Sequence, residues 1–257
     1  MPPAELVMGY GLYLYGIFPA PGPQGLDLVG LDQQPVQTAT VDGFVFLYSE
    51  TQQERYLTSR KHLLGHERVL EQAMEKGFRT LLPLQFGLII NDWETVRSQL
   101  ILPQGDRLRH LFAKLDGQRE VSVKLFWQSD RELETLMQEN DLLRAERDRL
   151  EGKTLSMDEV VRIGQSVERA IEQRKNDIIQ AFQGTLSPLA SESISNDLLT
   201  DTMIYNTAFL IPWDTEPDFG HQVEQLDKHF DERLKIRYNN FTAPYNFANL
   251  DEQESHS

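Results

Sequence analysis

Cysteine is absent from the 257-residue chain, which excludes disulfides, thiolate zinc sites, iron–sulfur clusters and cysteine nucleophiles. Long apolar runs are absent too. Phe86–Ile90 (FGLII) is typical, far short of the roughly 20 residues a membrane helix needs. Positive charge is scarce: 25 Lys and Arg against 40 Asp and Glu leave a net charge of −15. Such a surface repels phosphate backbones and anionic membranes, which argues against general nucleic-acid or lipid binding. The opening MPPAELVMGYGLYLYGIF carries no positive charge before its apolar stretch and no clear small-residue cleavage site, so it does not read as a signal peptide. The expectation is a soluble, acidic, cytoplasmic protein. Motifs of catalysis are missing as well: there is no G-x-S-x-G elbow, no G-x-x-x-x-G-K-[ST] phosphate loop and no H-E-x-x-H.

What is present is enough for real cores. Hydrophobic residues make up 40% of the chain and aromatic residues 9%, too much for a disordered segment. The length fits one large or two ordinary domains. Tyr10–Phe18 reads as a strand stopped by Pro19, and 19–30, with its prolines and glycines, as a loop. Short strands follow near Val36–Val41 and Phe44–Tyr48, joined by the tight-turn pair Asp42-Gly43. A helix is expected from about Gln53 to Lys76, with Tyr56, Leu63, Leu70 and Met74 on one face and Gly77 capping it. Phe78–Ile90 suggests two short extended pieces around a turn. Asn91 with Glu94 has capping-box spacing and opens a helix striped by Trp93, Val96 and Leu100, broken at Pro103 and Gly105. Another helix, Asp106–Leu115, ends at Asp116-Gly117.

A domain boundary falls there, giving an N-terminal α+β domain at 1–117. The second domain, 118–250, is read as strand Glu120–Trp127, with Val121, Val123, Leu125 and Trp127 facing one way. A helix follows from Ser129, capped with Glu132, to Glu151 and Gly152. A further helix runs from Ser156, capped with Glu159, to Gln183 and Gly184. The two form a hairpin over 129–184, with stripes Leu133, Leu136, Leu143, Leu150 and Val160, Ile163, Val167, Ile171, Ile178. Strands Leu186–Ile194 and Met203–Ile211, a helix carrying Phe219, Val223, Leu226 and Phe230, and strand Arg233–Tyr238 complete the order. That order is βαββαβ, the ferredoxin-like arrangement, with an expanded first crossover. The fold class is therefore α+β in two domains, with a polar tail at 251–257.

His62 and His66 share a helix face at the spacing that can chelate zinc, but no third ligand is spaced to join them; a packing histidine is the competing reading. Gly9, Gly11 and Gly16 have the wrong spacing for a dinucleotide fingerprint and sit within the strand, where close packing or a bulge explains them. His221 and His229 lie among Glu224, Asp227 and Asp231, as on an ordinary solvated face. No metal, cofactor or catalytic constellation is expected.

Several motifs in order carry a resemblance. Tyr13-Leu-Tyr-Gly16, His66-Glu-Arg-Val-Leu-Glu71 and Leu81-Leu-Pro-Leu-Gln-Phe-Gly87, then Glu120–Trp127, Asn206-Thr-Ala-Phe-Leu210 and Arg233–Tyr245, resemble the gas vesicle protein F/L family (GvpF/GvpL) over about residues 10–250. Gln85 stands where the family often has arginine. The closing stretch keeps only Pro244, Tyr245 and Phe247 of a tryptophan–proline loop, which favours the F type. The resemblance implies a non-enzymatic accessory or minor wall component of gas vesicles, gas-filled protein-walled organelles of the cytoplasm. It also implies contact with their hydrophobic shell protein (GvpA), possible contact with other gas vesicle accessory proteins, and a role in limiting shell-protein aggregation during nucleation. The apolar, Gly- and Pro-interrupted segments of the N-terminal domain nominate Tyr13, Tyr15, Leu82, Pro83, Leu84 and Phe86 as partner contacts. The alternative is a ferredoxin-like small-molecule enzyme or sensor.

Overall fold

A computed structural model describes residues 11–150, 156–230 and 233–249. Gly9, Tyr10, the helix end at Glu151-Gly152, Asp231 and the tail 251–257 lie outside the described residues, as does the side chain of Leu150. The chain divides into two compact units. The first takes the residues up to Glu120, then Leu210–Trp213 and the segment from Phe241; the second takes Val121–Phe209 and Asp214–Asn240. The sequence reading ran the second domain from 118 to 250. The closing segment instead packs in the first unit, because Ala243 and Phe247 are buried there and Asn246 bonds Glu120.

In the first unit, β1 (Gly11–Pro19) is flanked by β3 (Phe44–Thr51), which pairs in turn with β2 (Gln37–Val41). The two-residue strands β4 (Leu82–Pro83) and β5 (Ile89–Ile90) both pair antiparallel with the other side of β1. The register of β1 on β3 slips between Leu14 and Gly16, leaving Tyr15 as the extra residue of a bulge. A bulge reverses which side chains face which way. Tyr13, Tyr15 and Phe18 therefore share one buried face with Val45 and Leu47. Helix α1 (Arg60–Glu75) covers that face with His66, Val69, Leu70, Ala73 and Met74, the i, i+3, i+4, i+7, i+8 pattern of one buried stripe. The helix starts at the cap Ser59, not Gln53, and its buried stripe is rotated from the expected one, leaving Leu63 exposed. Gly77 does close it, with the paired Gly77→Met74 and Phe78→Ala73 bonds of a Schellman motif.

The opposite sheet face packs Phe46 on Trp93 and Phe44 on Phe112. These rings belong to α2 (Trp93–Val96) and α3 (Leu102–Leu115), joined by a π-helical turn, Arg97–Ile101. The N-cap of α2 is Asp92, accepting from Thr95, rather than Asn91. Pro103 and Gly105 do not break the helix. Pro103 falls in the first turn of α3, just after the π turn, where its missing N–H is tolerated.

The second unit carries most of a four-stranded sheet in the order β7 (Glu192–Ser195), β8 (Met203–Pro212), β6 (Gln118–Phe126), β9 (Lys235–Thr242). In sequence order of its strands this is 2-3-1-4, the ferredoxin-like arrangement. Val121, Val123, Leu125 and Trp127 are all buried, as their alternation implies. The helix expected over 129–151 is two helices, α4 (Ser129–Glu139) and α5 (Asp141–Leu150). Asn140 is extended between them, and its side-chain oxygen accepts from the Leu143 N–H, so it caps α5. Ser129 is not a cap, since Glu132 turns inward to Arg174 and Arg233. The Ser156–Glu159 capping box is formed and opens α6 (Met157–Leu186), which runs through Gly184. Phe182 of α6 and Phe219 of α7 (Glu216–His229) lie over Tyr205 and Phe209 of β8.

Candidate partner-binding groove

The three N-terminal segments that carry the family resemblance converge in the first unit. His66 is 2% exposed. Its Nε2 lies 3.1 Å from the Leu84 carbonyl, and a carbonyl can only accept, so Nε2 carries the proton. Nδ1 therefore accepts from the Tyr13 hydroxyl at 2.8 Å. That hydroxyl in turn accepts from the Gly87 N–H at 3.1 Å. One neutral histidine and one tyrosine thus hold both ends of the turn Leu84–Gly87. Burial of the imidazole, opposed only in part by the Leu84 bond, lowers its pKa to about 4. Burial also raises the Tyr13 hydroxyl far above its ordinary value. Gly87 has φ +92°, a conformation that L side chains rarely adopt, so the turn calls for glycine there. Further bonds run from Leu84 N–H to the Tyr15 carbonyl and from Leu14 N–H to the Leu88 carbonyl.

The nominated contacts separate cleanly. Tyr13 and Tyr15 have no exposed surface, and Leu82 and Pro83 are buried too. Tyr13 and Tyr15 lie in the core, since both faces of β1 are covered, and the Tyr15 hydroxyl bonds Ser49 and the Leu31 N–H. Leu84 and Phe86 are half-buried and, with an edge of Pro83, line a groove of about 710 Å3. The 84–90 segment forms one wall, and Thr95, Val96, Gln99 and Leu100 form another. Tyr245, Ala248 and Asn249 contribute from the closing segment. None of the fifteen described residues lining it is charged, in a chain that is 25% charged.

The Tyr245 wall hangs on one carboxylate. Glu120 is 3% exposed and accepts from the Asn246 N–H at 2.9 Å and the Asn246 side-chain amide at 2.6 Å. Burial outweighs both bonds and raises its pKa to about 7. Sequence reasoning missed this wall, the helical wall and Glu120. The one available signal was the retained Pro244, Tyr245 and Phe247.

His62 is separate: its Nδ1 faces the Leu57 carbonyl. Among the described residues no three His, Asp or Glu side chains gather as a metal site, and no helix is long and apolar enough to cross a membrane. In the second unit a cleft between α7 and β9 is lined by Glu216, His221, Glu224 and Asp227. There Glu216 already accepts from Tyr238 and Asn240.

The profile of the family described as gas vesicle synthesis protein GvpL/GvpF matches residues 11–249. Gas vesicle protein F of Nostoc sp. (strain PCC 7120) is 58% identical over 243 residues, which is 95% of this chain and 100% of that protein. Gas vesicle protein F of Dolichospermum flosaquae is 55% identical over 244 residues, again 95% and 100%. The crystal structure of GvpF from Anabaena sp. PCC7120 superposes with a TM-score of 0.85 at 57% identity, covering 94% of this chain and 99% of that one.

Proposed function

The chain belongs to the GvpL/GvpF family of gas vesicle proteins, and from that premise we propose that it is a non-enzymatic accessory of gas vesicle assembly that binds the hydrophobic shell protein (GvpA). By covering an apolar face of the shell subunit it limits aggregation before the subunit joins the wall, and it stays associated with the vesicle as a minor wall component. Other accessory proteins of the vesicle are further partners on this reading.

The observation that supports this is the uncharged groove on a chain of net charge −15. An acidic surface keeps a complex dispersed, while an uncharged groove removes apolar surface from water without desolvating a charge. Binding built this way is driven by apolar burial and is little screened by salt.

The test is co-purification of the full-length chain with co-expressed shell protein at low and at high salt, followed by probing isolated vesicles for the chain. Retention of soluble shell protein at both salt levels is the expected result. Absence of retention at low salt, or its loss at high salt, overturns the apolar-shielding mechanism.

A further inference from the structure

We infer that the groove walled by the 84–90 turn and the π-helical turn is a docking site for the apolar face of a partner helix, one that carries no charge where it enters. The inference rests on the function proposed above only for the source of that helix, the shell subunit.

The shape argues for a helix. Thr95, Val96, Gln99 and Leu100 recur at i, i+1, i+4 and i+5, so they share one helix face and form a ridge beside which a second helix can lie. The π turn Arg97–Ile101 inserts an extra residue into this wall, closed by the Leu102 N–H to the Arg97 carbonyl. Such turns shift the register of a helix face and recur at functional positions. The opposite wall is extended and rigid from behind, since His66 and Tyr13 hold the turn at Leu84 and Gly87. A space of about 710 Å3 is of the size that takes several apolar side chains, the anchors at i, i+3 or i+4, and i+7 of a docked amphipathic helix.

The electrostatics select the occupant. An acidic protein attracts basic partners over most of its surface. Among the described residues, the polar groups in the lining are amides, a threonine hydroxyl and a tyrosine hydroxyl, with no carboxylate to pair a lysine or arginine and no cation to pair an acid. A charge carried into this groove would lose its water and gain no partner. The groove therefore rejects charged helices of either sign and accepts an apolar one.

Two exposed glutamines allow a test that leaves shape unchanged. Gln85→Glu and Gln99→Glu place a carboxylate on each wall without altering side-chain length. The full chain and its variants are co-expressed with the shell protein, and the soluble shell protein retained per chain is measured, with thermal unfolding of each variant as the folding control. The double variant is expected to retain at least about tenfold less. Gln99→Leu should retain as much as the parent. Leu102→Glu, a charge on the same helix at a residue 69% exposed and outside the groove, should leave retention unchanged. Unchanged retention in the double variant overturns the groove while leaving shell binding intact. Equal loss in Leu102→Glu also overturns it, since the effect is then not local. If the double variant instead converts a dimer to a monomer by sedimentation with shell retention intact, the groove belongs to a second copy of the chain. Failure of the parent chain to retain any shell protein overturns the proposed function itself.

Discussion

Replacing Tyr13 by phenylalanine removes one oxygen and two hydrogen bonds while keeping the ring. The parent hydroxyl accepts from Gly87 N–H and donates to His66 Nδ1. Each bond contributes about 1 kcal/mol net, and an orphaned buried acceptor costs about 1–3 kcal/mol. His66 is 2% exposed, so water cannot readily replace the lost donor. The ring contacts with Tyr15, Tyr56 and Phe86 survive the substitution, so no cavity term is added. The expected loss is therefore about 2–4 kcal/mol, a fall in Tm of about 4–16 °C at this chain length. Circular dichroism melts would measure the loss, and amide hydrogen exchange would locate it: protection of the Gly87 N–H should fall more than that of β3. A shift under about 1 °C with Gly87 protection unchanged would mean that the turn is held by packing alone, and the account of the groove's rear support would be wrong.

The buried His66 and Glu120 make opposed pH dependences. His66 has its folded pKa lowered to about 4, so the unfolded chain binds a proton first and stability falls by about 3 kcal/mol as pH drops from about 6.5 to 4. Glu120 has its folded pKa raised to about 7, so the folded chain binds a proton first and stability rises by about 3 kcal/mol as pH drops from 7 to 4.5. Denaturant unfolding of Glu120→Gln should thus be steeper in acid than that of the parent, and a parallel pH profile would refute the assignment. Gly30→Ala should cost about 1–3 kcal/mol, because its Cβ would lie 2.1 Å from the Tyr15 hydroxyl, which Ser49 and Leu31 hold in place; a melt equal to the parent's would show that Tyr15 can yield. Glu132→Gln leaves Arg174 and Arg233 facing a neutral amide at a 2% exposed position. A loss of about 3 kcal/mol in chemical denaturation is expected, and a neutral result would show that water reaches the cluster.

Much of the secondary structure follows from local chemistry. The Ser156–Glu159 capping box, the Gly77 stop, the Asp42-Gly43 turn and the alternation of Val121, Val123 and Leu125 are decided within a few residues of chain. The order of strands and helices in the second half was enough to assign a ferredoxin-like sheet, because short connections permit few topologies. The motifs at 13–16, 66–71 and 81–87 marked a family and pointed to Leu84 and Phe86. Their purpose was not visible there. Tyr13 bonds a histidine 53 residues away and an amide 74 residues away, and Glu120 bonds Asn246 across 126 residues. Only packing determines whether a strand face meets solvent, and here both faces of β1 are covered, so two nominated contacts are buried. The same holds for Asn140, a helix interior by periodicity and a cap in the fold, and for Pro103, which a π turn accommodates within a helix that it was expected to end. A groove assembled from 84–90, 95–100 and 245–249 exists only once those three segments meet, and only the helical fold of the middle one leaves its charge, Arg97, out of the lining and paired with Asp42.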